Sequence, residues 1–138
     1  MAEVAMDREA LELILDTVRE FGARHLPLER RLAIDKSEES TEAVVRELIG
    51  PEVGLHLVFI PEEHGGIGGG AYDLYRVCEA LGRIDLGIAT SLFAIALGTD
   101  PIRVGGTPEQ QAKWLRKIAE GPMVVAYGAT EPNAGSNL

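Results

Sequence analysis

Between residues 7 and 26 apolar or small side chains recur at Leu11, Ile14, Leu15, Val18, Phe21 and Gly22, the spacing of one helical face. Asp7 is a suitable N-cap and Pro27 ends the run. The next stretch, LERRLAIDKSEES, reads as a charged connector. Val44, Val45, Leu48 and Ile49 then predict a short helix over 41–49, closed by Gly50-Pro51. LHLVFI (55–60) suits a buried extended piece or a helix end, which periodicity does not separate. PEEHGGIGGG (61–70) predicts a loop, its glycines favouring left-handed backbone or close approach to another segment.

Helix resumes over 71–83, with Leu74, Val77, Cys78 and Leu81 inward and Asp73, Arg76, Glu79 and Arg83 opposite. Asp85 can cap a helix over 86–98 that is apolar nearly all round, interrupted only by Thr90 and Ser91. Such a helix is expected at the centre of a bundle, buried on every side, with Asp100-Pro101 breaking the chain. GGTPEQQAKWLRKIAEGP (105–122) carries the clearest boundaries. Thr107, Pro108 and Gln110 make a capping box, Trp114, Leu115 and Ile118 an inward stripe, and Gly121-Pro122 a stop. MVVAYGAT (123–130) reads as a strand. The expectation is an all-α chain, a bundle of about five helices with one strand at its C-terminal end.

Composition narrows the function classes. At 138 residues the chain fits one domain with an ordinary core. Its net charge of −9 argues against nucleic-acid or anionic-membrane surfaces, which need a basic footprint. A phosphate-bearing ligand is still allowed, because backbone amides and hydroxyls can cradle phosphates. Cys78 is the only cysteine, so neither an internal disulfide nor a thiolate cluster is expected. The longest weakly polar run, LGIATSLFAIALG (86–98), is too short to span a bilayer. The N-terminus has no apolar signal core, which leads to the expectation of a cytoplasmic protein.

Few stretches are candidates for chemistry. Gly66-Ile67-Gly68-Gly69-Gly70-Ala71 fits G-x-G-x-x-A, but no strand immediately precedes it and a second helix follows its helix, so a packing turn is the better reading. His25, His56 and His64 lack ligand spacing, and Glu62-Glu63-His64 reads as a solvated turn. Glu29-Arg30-Arg31 and Glu38-Glu39 are expected to be solvated faces. Thr90, Phe93 and Leu97 share one side of the apolar helix, either as core or as the wall of an apolar cavity. In YGATEPNAGSN, a Glu131-Pro132 bend precedes consecutive N–H groups at Ala134-Gly135-Ser136. That is a pyrophosphate cradle or a tight turn opening a further domain.

The ordered motifs Y-x-x-T-E-P-x-A-G-S-N, G-T-P-E-Q-Q-x-K-W-L and I-P-E-E-x-G-G-x-G resemble the acyl-CoA dehydrogenase family of flavoproteins, in one register from Leu55 to Leu138. The resemblance implies residues 1–122 as the family's N-terminal helical domain and 123–138 as the first strand and turn of a middle β-domain. It implies FAD as cofactor, with Tyr127, Ala129 and Thr130 against the isoalloxazine and Gly135 and Ser136 at the pyrophosphate. Thr90, Phe93 and Leu97 match acyl-pocket positions, and Ser136 also lies near the pantetheine.

The implied reaction is α,β-dehydrogenation of an acyl-CoA thioester in fatty acid metabolism, with electrons passing to an electron-transfer flavoprotein and the full-length protein a homo-oligomer, typically a tetramer. The family's base is a glutamate of its C-terminal domain, so no catalytic residue is assigned within 1–138, and the chain alone is expected to be inactive. Asn137 stands where the family motif most often has Asp, and Ala129 replaces a larger aliphatic. A non-catalytic helical association module and a part of a related flavin oxidase are the alternatives.

Overall fold

The computed structural model describes residues 6–121 and 123–136. Among them are six α-helices: α1 (Arg8–His25), α2 (Leu28–Asp35), α3 (Thr41–Leu48), α4 (Ala71–Gly82), α5 (Leu86–Gly105) and α6 (Pro108–Glu120). Helix α4 packs between α1 and α5, and α5 also meets α3 and α6. The core is aliphatic, with Leu15, Leu48, Leu81, Ile88, Leu92 and Leu115 among its fully buried side chains.

Caps set most boundaries. Asp7 accepts from the amides of Glu9 and Ala10, Asp85 accepts from Ile88, and Thr107 and Gln110 form the reciprocal box at α6. Asp73 departs from its expected place on a solvated face. It is 1% exposed, and its Oδ2 accepts from the amides of Gly70 (2.8 Å) and Met6 (2.9 Å), so it closes the start of α4 and ties it to the entry of α1.

Helix α2 occupies what the sequence presents as a connector. It buries no residue, so it has no apolar stripe to announce it. Charges fasten it instead. Arg30 donates to Glu39, to both carboxylate oxygens of Glu47 and to the His25 carbonyl, while Arg31 donates to the Ile84 carbonyl at 2.7 Å. Arg30 and Arg31 are therefore half-buried fasteners rather than a solvated face.

The run LHLVFI is mostly a 3-10 turn (Leu55–Phe59) that buries Leu55, Val58 and Phe59. The glycines after it serve packing. The amides of Ile67, Gly68 and Gly69 donate to the carbonyls of Leu57, Ile60 and Val58. A Cβ on Gly66 would lie 1.8 Å from the Ile60 carbonyl oxygen, and Gly65 and Gly68 have φ of +89° and +75°.

Helix α5 runs through Pro101 to Gly105 instead of breaking at Asp100-Pro101. Pro101 lies on the exposed side of the helix, where a missing hydrogen bond can be met by solvent. Nor is α5 buried all round: Leu86 (75% exposed), Phe93 (47%), Leu97 (41%) and Val104 (75%) lie along one open face. Trp114 is likewise only partly covered, beneath the ammonium groups of Lys113 and Lys117, and Cys78 is half-buried.

Residues 123–130 form no strand. Among the described residues no neighbouring edge offers a ladder, and an extended segment without a partner is not a sheet. Pro122 and Asn137 lie outside the described residues.

His56 gives the fold a pH dependence. It is 3% exposed, and neither ring nitrogen has a hydrogen-bond partner of good geometry among the described residues. Burial lowers its pKa from the ordinary 6.5, opposed only in part by the Ala119 and Ile118 carbonyls at the end of α6. The unfolded chain thus binds more protons just below pH 6.5. The stability contributed by the neutral ring is complete above that pH and falls as the pH is lowered through it. The melting temperature is expected to drop between about pH 7 and pH 5, and His56→Gln to flatten that limb. Glu47, whose carboxyl Arg30 holds below its ordinary 4.5, gives a separate loss below that value.

Candidate functional site

The residues singled out near the C-terminal end meet the open face of α5. From Met123 to Ala126 the chain is extended and alternates: Met123 and Val125 pack against the core, and Val124 and Ala126 face out. Tyr127 is 50% exposed and shares with Leu97 a cleft of about 670 Å³ between α3, α5 and this segment, lined also by Val45, Ile95 and Val125.

The bend is a closed turn. The Ala134 amide donates to the Glu131 carbonyl at 3.2 Å and the Glu131 amide returns to the Ala134 carbonyl at 2.8 Å, with Pro132 at the position that favours its fixed φ. The turn holds Thr130 on one arm and Gly135-Ser136 on the other. Ala129 is partly covered, while Thr130, Gly135 and Ser136 are exposed. Among the described residues the Thr130 and Ser136 hydroxyls take no hydrogen-bond partner. A Cβ on Gly135 would meet nothing within 4 Å, which leaves its backbone approachable. Two hydroxyls, unmated amides and a bare backbone make a donor set suited to a phosphate-bearing ligand.

The acyl-wall candidates are less tightly grouped. Phe93 borders a different cleft, of about 300 Å³, with Phe59, Leu74, Tyr75 and Cys78, and Thr90 lines neither. The Thr90 hydroxyl donates to the Leu86 carbonyl at 2.8 Å, which satisfies it within its own helix. Phe93 and Leu97 are brought to one exposed helix face, but not into one cavity.

Two features escape the sequence reading. One is the exposure of the α5 face, since an all-apolar pattern does not say which neighbours are present. The other is Gly98, buried where α5 meets residues 125–126. The same helix also holds Gly87 and Gly105, so the residue type alone gives no signal that singles out Gly98. Burial raises the Cys78 thiol pKa, which disfavours the thiolate needed for nucleophilic chemistry. Among the described residues no group of three His, Cys, Asp or Glu could hold a metal ion, and no helix is long and apolar enough to cross a membrane.

Comparison with known proteins gives the family. Residues 8–122 match the model for the acyl-CoA dehydrogenase N-terminal domain. The chain is 36% identical over 131 residues to cyclohex-1-ene-1-carbonyl-CoA dehydrogenase of Geobacter metallireducens, covering 94% of this chain and 34% of that protein. It is 32% identical over 130 residues to (2S)-methylsuccinyl-CoA dehydrogenase of Cereibacter sphaeroides, covering 94% of this chain and 23% of that one. A solved structure described as the electron transferring flavoprotein of Acidaminococcus fermentans superposes with a TM-score of 0.79 at 32% identity, over 96% of this chain and 35% of the other. The chain therefore spans about a third or less of the length of these relatives. With its six helices and the matched residues 8–122, the chain belongs to the acyl-CoA dehydrogenase family, as its N-terminal helical domain.

Proposed function

We propose that this chain supplies one wall of a cleft for FAD and an acyl-CoA thioester, within a full-length α,β-dehydrogenase. The observation that carries this reading is the surface placement of Tyr127, Thr130, Gly135 and Ser136 around a closed turn, beside the open face of α5. Their unmated hydroxyls and approachable backbone fit two parts of a flavin dinucleotide, an aromatic ring edge that needs a donor and a central pyrophosphate that needs several.

In this reading the Thr130 hydroxyl donates to the edge of the flavin ring, and Tyr127 and Ala129 pack beside the ring. The Gly135 and Ser136 amides and the Ser136 hydroxyl hold the pyrophosphate, with Ser136 also reaching the pantetheine. Leu97, Phe93 and Thr90 give the acyl chain an apolar side and exclude water from it. FAD, when bound, supplies the hydride acceptor for the substrate β-carbon. No residue of this chain is assigned as the base that takes the α-proton. Glu131 is exposed and its backbone closes the turn, so it is not promoted to that role.

An electron-transfer flavoprotein as the electron acceptor, a tetrameric full-length form, a place in fatty acid metabolism and a cytoplasmic location complete the proposal. Oxygen reactivity of the full-length protein separates it from a flavin oxidase.

The test is Thr130→Val in the full-length polypeptide. The variant is expected to keep its flavin and lose roughly 100- to 1,000-fold in kcat with little change in KM, as for removal of one preorganised donor. An unchanged kcat removes Thr130 from the site. The chain by itself is expected to purify colourless.

The exposed Leu86, Phe93, Leu97 and Val104 favour one second reading, a helical module that acts by association. Strictly monomeric sedimentation across a wide concentration range counts against it.

A further inference from the structure

We infer that Gly98 is a positioning residue that sets the distance between the acyl wall on α5 and the flavin wall on residues 126–130; this rests on the function proposed above. A Cβ at position 98 would lie 2.9 Å from the carbonyl carbon of Ala126, 3.1 Å from its nitrogen and 3.0 Å from Val125 Cγ1. Backbone does not yield as a flexible side-chain tip does, so one of the two segments would have to shift.

Sequence neighbours turn this packing contact into a functional one. Gly98 directly follows Leu97 and Ala126 directly precedes Tyr127, and Leu97 and Tyr127 line the same cleft. The backbone contact is therefore the hinge point at which the cleft's two walls meet. Met123 and Val125 hold the segment to the core upstream of it. Downstream, Gly128 and Gly135 have open space where a side chain would be. The contact at Gly98 is thus the last firm register mark before Tyr127, Ala129 and Thr130.

Helix propensity alone makes the opposite demand, since glycine within a helix is less favourable than alanine. Gly105, in the same helix with nothing within 4 Å of a built Cβ, is the internal control.

The experiment compares Gly98→Ala and Gly105→Ala in the full 138-residue chain, by NMR order parameters and interproton contacts. Gly105→Ala is expected to raise the melting temperature and leave residues 124–130 unchanged. Gly98→Ala is expected to remove the contacts between residues 98 and 126 and to lower the order parameters at 124–130 below their wild-type values, to about 0.6 or below, with α1 and α4 unaffected. Contacts and order parameters at 124–130 identical to wild type in Gly98→Ala would overturn the inference. Should Gly98→Ala not fold, recovery by the added change Val125→Ala, which removes the Cγ1 at 3.0 Å and frees residues 125–126 to withdraw, supports the contact as the cause, and failure to recover overturns it. These readouts need no flavin, so a full-length protein without FAD would defeat the proposed function and leave this result intact.

Discussion

Replacing Gly66 with alanine is expected to destabilise the chain by about 3 kcal/mol or more, read as a fall in the urea midpoint with little change in slope. The added methyl carbon would sit 1.8 Å from the Ile60 carbonyl oxygen and 2.6 Å from Ile60 Cβ. Ile60 is fully buried, so neither partner can retreat without opening the core. Gly65→Ala is the matched comparison. Its φ of +89° strains an L-residue, but the nearest atom to the new carbon is Ala119 Cβ at 3.6 Å, so a loss of about 1–2 kcal/mol is expected. The pair separates packing from ligand binding. Glycines kept for a phosphate would tolerate alanine without loss of stability, so a Gly66→Ala chain as stable as wild type would reopen the dinucleotide reading of this loop.

Leu92→Ala is expected to cost about 3 kcal/mol, and Leu97→Ala under about 1 kcal/mol in this chain. The two leucines are five residues apart on α5 and differ in what covers them: Leu92 is 0% exposed and Leu97 41%. Truncating Leu92 removes buried contacts and leaves a cavity, whereas Leu97 gives up surface that is already partly wet. The same pair is expected to reverse in the full-length protein, where Leu97→Ala alters acyl-chain preference and Leu92→Ala acts on stability alone. Equal destabilisation by both in the 138-residue chain would mean that the outer face of α5 is covered, and the open cleft would be lost with it.

These results would bear on why some elements are legible in the sequence and others are not. Helices α1, α3, α4 and α6 announce themselves because their inward faces carry periodic aliphatics, and the starts of α1 and α6 are marked by Asp7 and the Thr107–Gln110 box. Helix α2 does not, because what holds it is the Arg30–Glu47–Glu39 cluster and Arg31 on the Ile84 carbonyl, and charge pairs carry no period. The length of α5 is hidden by Pro101, which reads as a stop unless its exposed position is known. The openness of α5 is hidden for a different reason. Apolar side chains state that a neighbour is wanted, not that this chain provides it, and the same holds for the extended segment at 123–130.

The candidate site divides along the same line. The turn at 131–134 is legible, since Pro132 favours the position it takes between Glu131 and Ala134, whereas what Gly135 and Ser136 hold belongs to the proposed function. Thr90, Phe93 and Leu97 were legible as one side of a helix, but not that Phe93 and Leu97 would open onto separate clefts. Gly98 was unreadable without coordinates, because its role depends on a segment more than twenty residues later in the chain.

Hydrogen exchange on the full-length polypeptide, with and without FAD, tests the central claim most directly. Added FAD is expected to slow exchange at the amides of Tyr127 to Thr130 and of Gly135 and Ser136, which make no backbone hydrogen bond among the described residues. Bound FAD that leaves those amides exchanging as before, while protecting others elsewhere, would contradict it.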